Sequence, residues 1–143
     1  MTTRLPGASD DLTVDFTPAV SAAQTLVDNI IAKESRLLGL RIYTLDSQGE
    51  THVIASKVAG EKGLAGGTAE KAAIDHGTVS FGRGPGTVAV WLPFRDRNGD
   101  PMAAVWVRLK SFIGETQDTA VTRATEVLRR MQTQIDNSDD LLK

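Results

Sequence analysis

The reading of the fold turns on residues 87–110, TVAVWLPFRDRNGDPMAAVWVRLK. Two apolar runs flank an Asn98-Gly99 pair, a strong short-range hairpin signal because tight turns want positive φ at their central residues. In a strand, alternate side chains point to opposite faces. Val88, Val90, Leu92 and Phe94 therefore share one face of the first strand, and Ala103, Val105, Val107 and Leu109 share one face of the second. The opposite faces carry Ala89, Trp91 and Pro93, and Ala104, Trp106, Arg108 and Lys110. One face is aliphatic throughout, while the other mixes indoles with cations. The pattern predicts a sheet with an apolar back and a front able to take a ligand.

Downstream of the hairpin, residues 111–115 read as a loop. Thr116 then opens a last helix whose Val121, Ala124, Val127, Leu128, Met131 and Ile135 make one apolar stripe. Upstream, Gly82-Arg83-Gly84-Pro85-Gly86 reads as a tight turn and residues 78–81 as a short strand. Residues 69–76 read as a short helix, capped by Thr68 and ended by Gly77. Residues 57–67 hold four glycines in a polar context and read as a loop. Residues 40–46 and 51–56 are predicted strands joined through Ser47-Gln48-Gly49. Arg41, Tyr43 and Leu45 fall on one face of the first of these, with Leu40, Ile42 and Thr44 on the other.

A long helix should precede them, with Thr17 as cap, Pro18 in the first turn and an end near Leu37 before Gly39. Its stripe is Val20, Ala23, Val27, Ile30, Ile31 and Glu34, with Leu26 beside it. Residues 1–15 and 137–143 read as tails around a single domain at 16–136. The order predicts an α+β fold: a five-stranded antiparallel sheet with the long N- and C-terminal helices on one face.

Composition narrows the function. A chain of 143 residues, 41% hydrophobic and 24% charged, is long enough to bury a core without metal or disulfide staples. A net charge of −2 leaves no electrostatic footprint for nucleic acid. The absence of cysteine excludes thiol catalysis, thiolate metal sites and disulfides. No apolar run approaches the length of a membrane span, and no apolar leader follows Met1-Thr2-Thr3-Arg4, so neither a transmembrane segment nor a signal peptide is expected in the chain as given.

Several motifs together resemble a known family. Ile54-Ala55-Ser56, then Gly63, then a short helix ending at His76-Gly77, then Leu92-Pro93-Phe94-Arg95-Asp96-Arg97-Asn98-Gly99-Asp100-Pro101 with Ala103-Ala104 behind it, look like bacterial Cache-type sensor domains, relatives of the PAS fold. The resemblance runs from about Pro18 to Ile135. It implies an antiparallel sheet, a long N-terminal helix and a small-molecule pocket on the sheet under the loop and the short helix. It also implies an extracytoplasmic setting; the chain is expected to be periplasmic or extracytoplasmic if a leader has been removed, and cytoplasmic otherwise.

The candidate ligand-binding residues are Tyr43, Trp91, Trp106 and Arg108, with Arg41, because strand parity lets them meet on one face. Aromatics offer flat walls, and a guanidinium fork matches a carboxylate. The expected partner is a small organic anion, such as a short carboxylic or amino acid. Gly82–Gly86 lacks both the Walker ending and a dinucleotide fingerprint, so no cofactor is expected. His52 and His76, with Glu70 or Asp75, show no metal-ligand spacing, and Asp96, Asn98 and Asp100 lack the calcium-loop pattern. No nucleophile–base set is visible, so an enzyme is not expected. The expectation is a ligand-binding sensor module, with a homodimer formed through the N-terminal helix by Leu26, Leu37 and Leu38; the alternative is an interaction module whose helices pair two copies without a ligand.

Overall fold

The computed structural model describes residues 22–34, 36–95 and 98–134. In chain order these form α1 (Ala22–Lys33), β1 (Leu37–Leu45), β2 (Thr51–Ser56), α2 (Thr68–His76), β3 (Ser80–Gly84), β4 (Thr87–Arg95), β5 (Pro101–Lys110) and α3 (Gln117–Thr133). The strands make one five-stranded antiparallel sheet in the order β2-β1-β5-β4-β3. The expected cap at Thr17, the stripe residue Ile135 and both tails lie outside the described residues.

The hairpin that organises the sequence also organises the sheet. β4 and β5 pair in the register Val90↔Val107, Trp91↔Trp106 and Leu92↔Val105, which puts aliphatics against aliphatics and indole against indole. On the aliphatic side, Val88, Val90, Val105 and Val107 are fully buried in a cluster with Leu40 and Ile42 of β1, Ala23, Val27 and Ile30 of α1, and Ala124, Val127 and Met131 of α3. A smaller cluster on the other side joins Tyr43, Val53 and Ala104 to Ala73 and Ile74 of α2, with Trp106 packed against it. Pro93 is tolerated inside β4 because β3 begins at Ser80 opposite Trp91. Beyond that point β4 is an edge on that side, and a missing N–H breaks no ladder bond there.

Four boundaries differ from the sequence reading. The first helix ends at Lys33, and Leu37-Leu38-Gly39 belong to β1. Leu37 and Leu40 suit a helical stripe and a strand equally, and pairing with β5 decides between them: Leu37 sits opposite Leu109 and Leu40 opposite Val107, with a bulge between Leu37 and Gly39. That change removes most of the apolar surface invoked for dimerisation. Leu26 and Leu37 are 3% and 2% exposed within the chain, and of the three only Leu38, at 43%, reaches the surface.

The N-cap of α2 is Gly67 rather than Thr68. A glycine has no side chain to cap with, and Glu70 in the first turn accepts from the Gly67 N–H at 2.8 Å instead, the half of a capping box that glycine permits. Gly77 does end the helix, as expected: it is left-handed at φ 69°, and the N–H groups of Gly77 and Thr78 close on the carbonyls of Ala73 and Ala72. Gly82-Arg83-Gly84 are the end of β3, not turn residues, so the turn narrows to Pro85-Gly86. Residues 57–67 are not featureless: they contain a 3-10 turn at Ala59–Glu61, and their far end runs beside β2 through the pair His52↔Ala65.

Candidate functional site

A cleft of about 410 Å³ opens on the sheet face away from α1 and α3, lined by residues of β1, β3, β4 and β5 and by Glu70 of α2. Its form follows from where two indoles can lie. Trp91 and Trp106 are cross-strand partners at the centre of the hairpin. Each ring leans outward over a glycine on the neighbouring strand. A Cβ added to Gly39 would stand 2.6 Å from Cζ3 of Trp106, and one added to Gly82 would stand 3.2 Å from Cζ3 of Trp91. The glycines leave flat backbone for the rings to cover; at Gly39 any Cβ would force the Trp106 ring to move, and at Gly82 it would crowd Trp91 by a few tenths of an ångström. With the indoles turned apart, the small Ala89 and the stem of Arg108, paired across β4 and β5, lie in the cleft between them.

Four of the five expected ligand-binding residues line this cleft: Arg41, Trp91, Trp106 and Arg108. Arg108 is exposed and makes no hydrogen bond or ion pair to another described residue. Arg41 lies over the Trp106 ring, its Cζ 4.2 Å from the centroid, a cation–π geometry. Arg41 is not free, however. Its Nε and Nη2 donate to the two carboxylate oxygens of Glu61 at 3.0 and 2.5 Å, and its Nη1 donates to the Tyr43 hydroxyl at 3.1 Å. The Ser56 hydroxyl donates to Glu61 Oε1 at 2.5 Å. Arg41, and secondarily Ser56, hold the Glu61 carboxyl below its usual range, and Glu61 in turn raises Arg41.

The structure does not bring Tyr43 into the cleft. It is 3% exposed beneath α2, and burial pushes its phenol up. Its part is to support Arg41 from below.

Residues missed in the sequence complete the site. Glu70 is a carboxylate only 7% exposed that forms one wall. Trp91 Nε1 donates to its Oε2 at 2.7 Å while Gly67 N–H occupies its Oε1. Glu70 thus fixes the tilt of the Trp91 indole. The position three residues after a helix start signals a capping role for Glu70 in sequence, but nothing there connects it to Trp91. Glu61 carries no sequence signal at all. Arg83 also borders the cleft, yet its guanidinium is turned to the α3 side, where Nη2 donates to the Glu115 carbonyl at 2.9 Å. Arg108 is therefore the cation that the cleft presents unpaired among the described residues. Those residues hold no cluster of metal-ligating side chains and no helix long and apolar enough to cross a membrane.

No family model matches the chain, and no curated protein matches it. Solved structures do share its fold. The GAF domain of an Acinetobacter phosphoenolpyruvate-protein phosphotransferase superposes with a TM-score of 0.54 at 14% identity, covering 79% of this chain and 81% of that one. A GAF domain from A. aeolicus, described in an inactive state, gives 0.56 at 7% identity over 78% and 80%. The Agobacterium tumefaciens repressor BlcR gives 0.55 at 10% identity over 83% and 66%. The fold is GAF-like, an α+β arrangement with a five-stranded antiparallel sheet, and no family match ties the chain to the Cache domains that the motifs resemble. At these identities the likeness is one of fold.

Proposed function

We propose that this chain is a small-molecule-binding module of the sensor-domain type, and that its ligand is a small organic anion. The observation that carries the proposal is Arg108: an exposed guanidinium without a described partner, placed between two outward-turned indoles in a cleft. Indole faces favour a flat apolar body, and the guanidinium favours a carboxylate in two-point contact. The GAF-like fold supports the reading, since the cleft lies on the sheet face that α2 flanks. We propose binding rather than catalysis; among the described residues, the cleft pairs no nucleophile with a base.

Calorimetry with benzoate and its uncharged analogue benzamide tests this. A hydrogen bond to a charged group is worth about 1.5–3 kcal/mol, so Arg108→Ala should weaken benzoate at least about tenfold and leave benzamide unchanged. Stability should move by less than about 0.5 kcal/mol, because Arg108 is exposed. Equal benzoate affinity in both proteins removes Arg108 from the site. No binding of either compound favours the interaction module instead.

A further inference from the structure

We infer that Glu61, beside the cleft, fills the fork of the lining residue Arg41 as a built-in competitor and is displaced from it when a ligand carboxylate enters, with release of the turn that Glu61 tethers. The inference rests on the reading of the cleft as an anion site. Arg41 lines that cleft and is stacked on one of its walls, yet its fork is already filled by a carboxylate in the two-point geometry a ligand would use. The pair is reachable from solvent. The side chains of Arg41 and Glu61 keep 23% and 24% of their surface exposed, so a solute can compete for the fork without unfolding anything.

What Glu61 holds is weakly held otherwise. The backbone bonds at the 3-10 turn Ala59–Glu61 are local, Glu61 N–H to the Val58 carbonyl and Leu64 N–H to the Glu61 carbonyl. Apolar anchoring is slight, since Val58 and Leu64 are 52% and 49% exposed. Two sets of bonds join the turn to the sheet: the side-chain bonds of Glu61 to Arg41 and Ser56, and the bond from the Val58 N–H to the Ser56 hydroxyl at 3.1 Å. On either side the backbone is tied to strands, through Lys57 N–H to the Leu40 carbonyl and Gly63 N–H to the Val53 carbonyl. With Val58 also held by Ser56, the part free to move once Glu61 lets go is residues 59–62.

The competition also selects the ligand. A tethered carboxylate acts at an effective concentration of about millimolar or more, so a bare anion displaces it poorly. A carboxylic acid with a flat apolar body adds contact with Trp91, Trp106 and Arg108, and can win the fork.

Two readouts test this in the full chain: calorimetry with benzoate, and the rate of tryptic cleavage after the exposed Lys62, followed by mass spectrometry. Removing the competing charge with Glu61→Gln should tighten benzoate roughly five- to tenfold, with benzamide unchanged. Saturating benzoate should speed cleavage at Lys62 in the wild type several-fold. In Glu61→Gln that cleavage should be fast already and indifferent to benzoate. Ser56→Ala removes the Glu61 contact and the Val58 N–H contact together and leaves Arg41 in place; it should tighten benzoate by a smaller factor, and that affinity, rather than its cleavage rate, serves if Glu61→Gln does not fold. Benzoate binding that depends on Arg108 but is equal in wild type and Glu61→Gln, or that leaves Lys62 cleavage unchanged, overturns the displacement and leaves the anion cleft standing. Absence of benzoate binding in every protein overturns both.

Discussion

Gly39→Ala tests whether the cleft owes its form to glycines that seat the indoles. Gly39 lies in β1 without a positive φ, so alanine is acceptable to the backbone. The cost is steric. The new Cβ would meet Trp106 Cζ3 at 2.6 Å and Cη2 at 3.0 Å, with Arg108 Cβ at an ordinary 3.4 Å. Carbon atoms pack at about 3.5–4.0 Å, so the ring edge must move by roughly 1 Å. Trp106 is not free to do so, since it packs on the cluster of Tyr43, Ala73, Ile74 and Ala104 and lies under Arg41. Overpacking of this kind costs about 1–3 kcal/mol. Against it stands a gain of about 0.4–1 kcal/mol from the stiffer unfolded chain. The net loss should be roughly 0.5–2 kcal/mol, a fall in Tm of a few degrees for a chain of this size. Urea unfolding of wild type, both single variants and the pair with Trp106→Ala gives the decisive comparison. With the ring gone, Gly39→Ala should be neutral or stabilising by about 0.4–1 kcal/mol. An equal loss in both backgrounds would mean that the backbone, and not the indole, requires glycine, and the account of the cleft would fail.

Three further outcomes follow from named contacts. Trp91→Phe keeps an aromatic wall but removes the donor to Glu70 at 2.7 Å; leaving that buried carboxylate with one partner should cost about 1.5–3 kcal/mol, measured by chemical denaturation. Thr116→Ala removes the side chain that accepts from Thr119 N–H at the start of α3, and should lower stability by about 1 kcal/mol while leaving benzoate binding unchanged. Because the folded-state pKa of Glu61 is depressed by Arg41 and Ser56, the tether it provides is fully present above the ordinary glutamate range of about 4.3. It is lost as the pH falls through the lowered folded value, so cleavage near Lys62 by an acid-stable protease should rise there in the wild type and be flat in Glu61→Gln.

By itself the sequence determined the sheet. Antiparallel pairing of residues 87–95 with 101–110, the burial of Val88, Val90, Val105 and Val107, and the meeting of Trp91, Trp106 and Arg108 on the other face all follow from period-two alternation and a turn signal, which are local properties. Gly77 as a helix stop and Thr116 as a cap were legible for the same reason. Tertiary structure decided what surrounds these groups. Leu37 became a strand residue only because β5 offers it Leu109. Tyr43 left the cleft because α2 covers it, and Arg41 lost its free fork because residues 57–67 fold back to place Glu61 against it, twenty positions along the chain. Glu70 reaches Trp91 across twenty-one positions, and Gly39 and Gly82 meet the indoles only through cross-strand register. Such contacts are set by how packed elements cross, and no periodicity in the chain encodes the partner of a side chain that lies on another element.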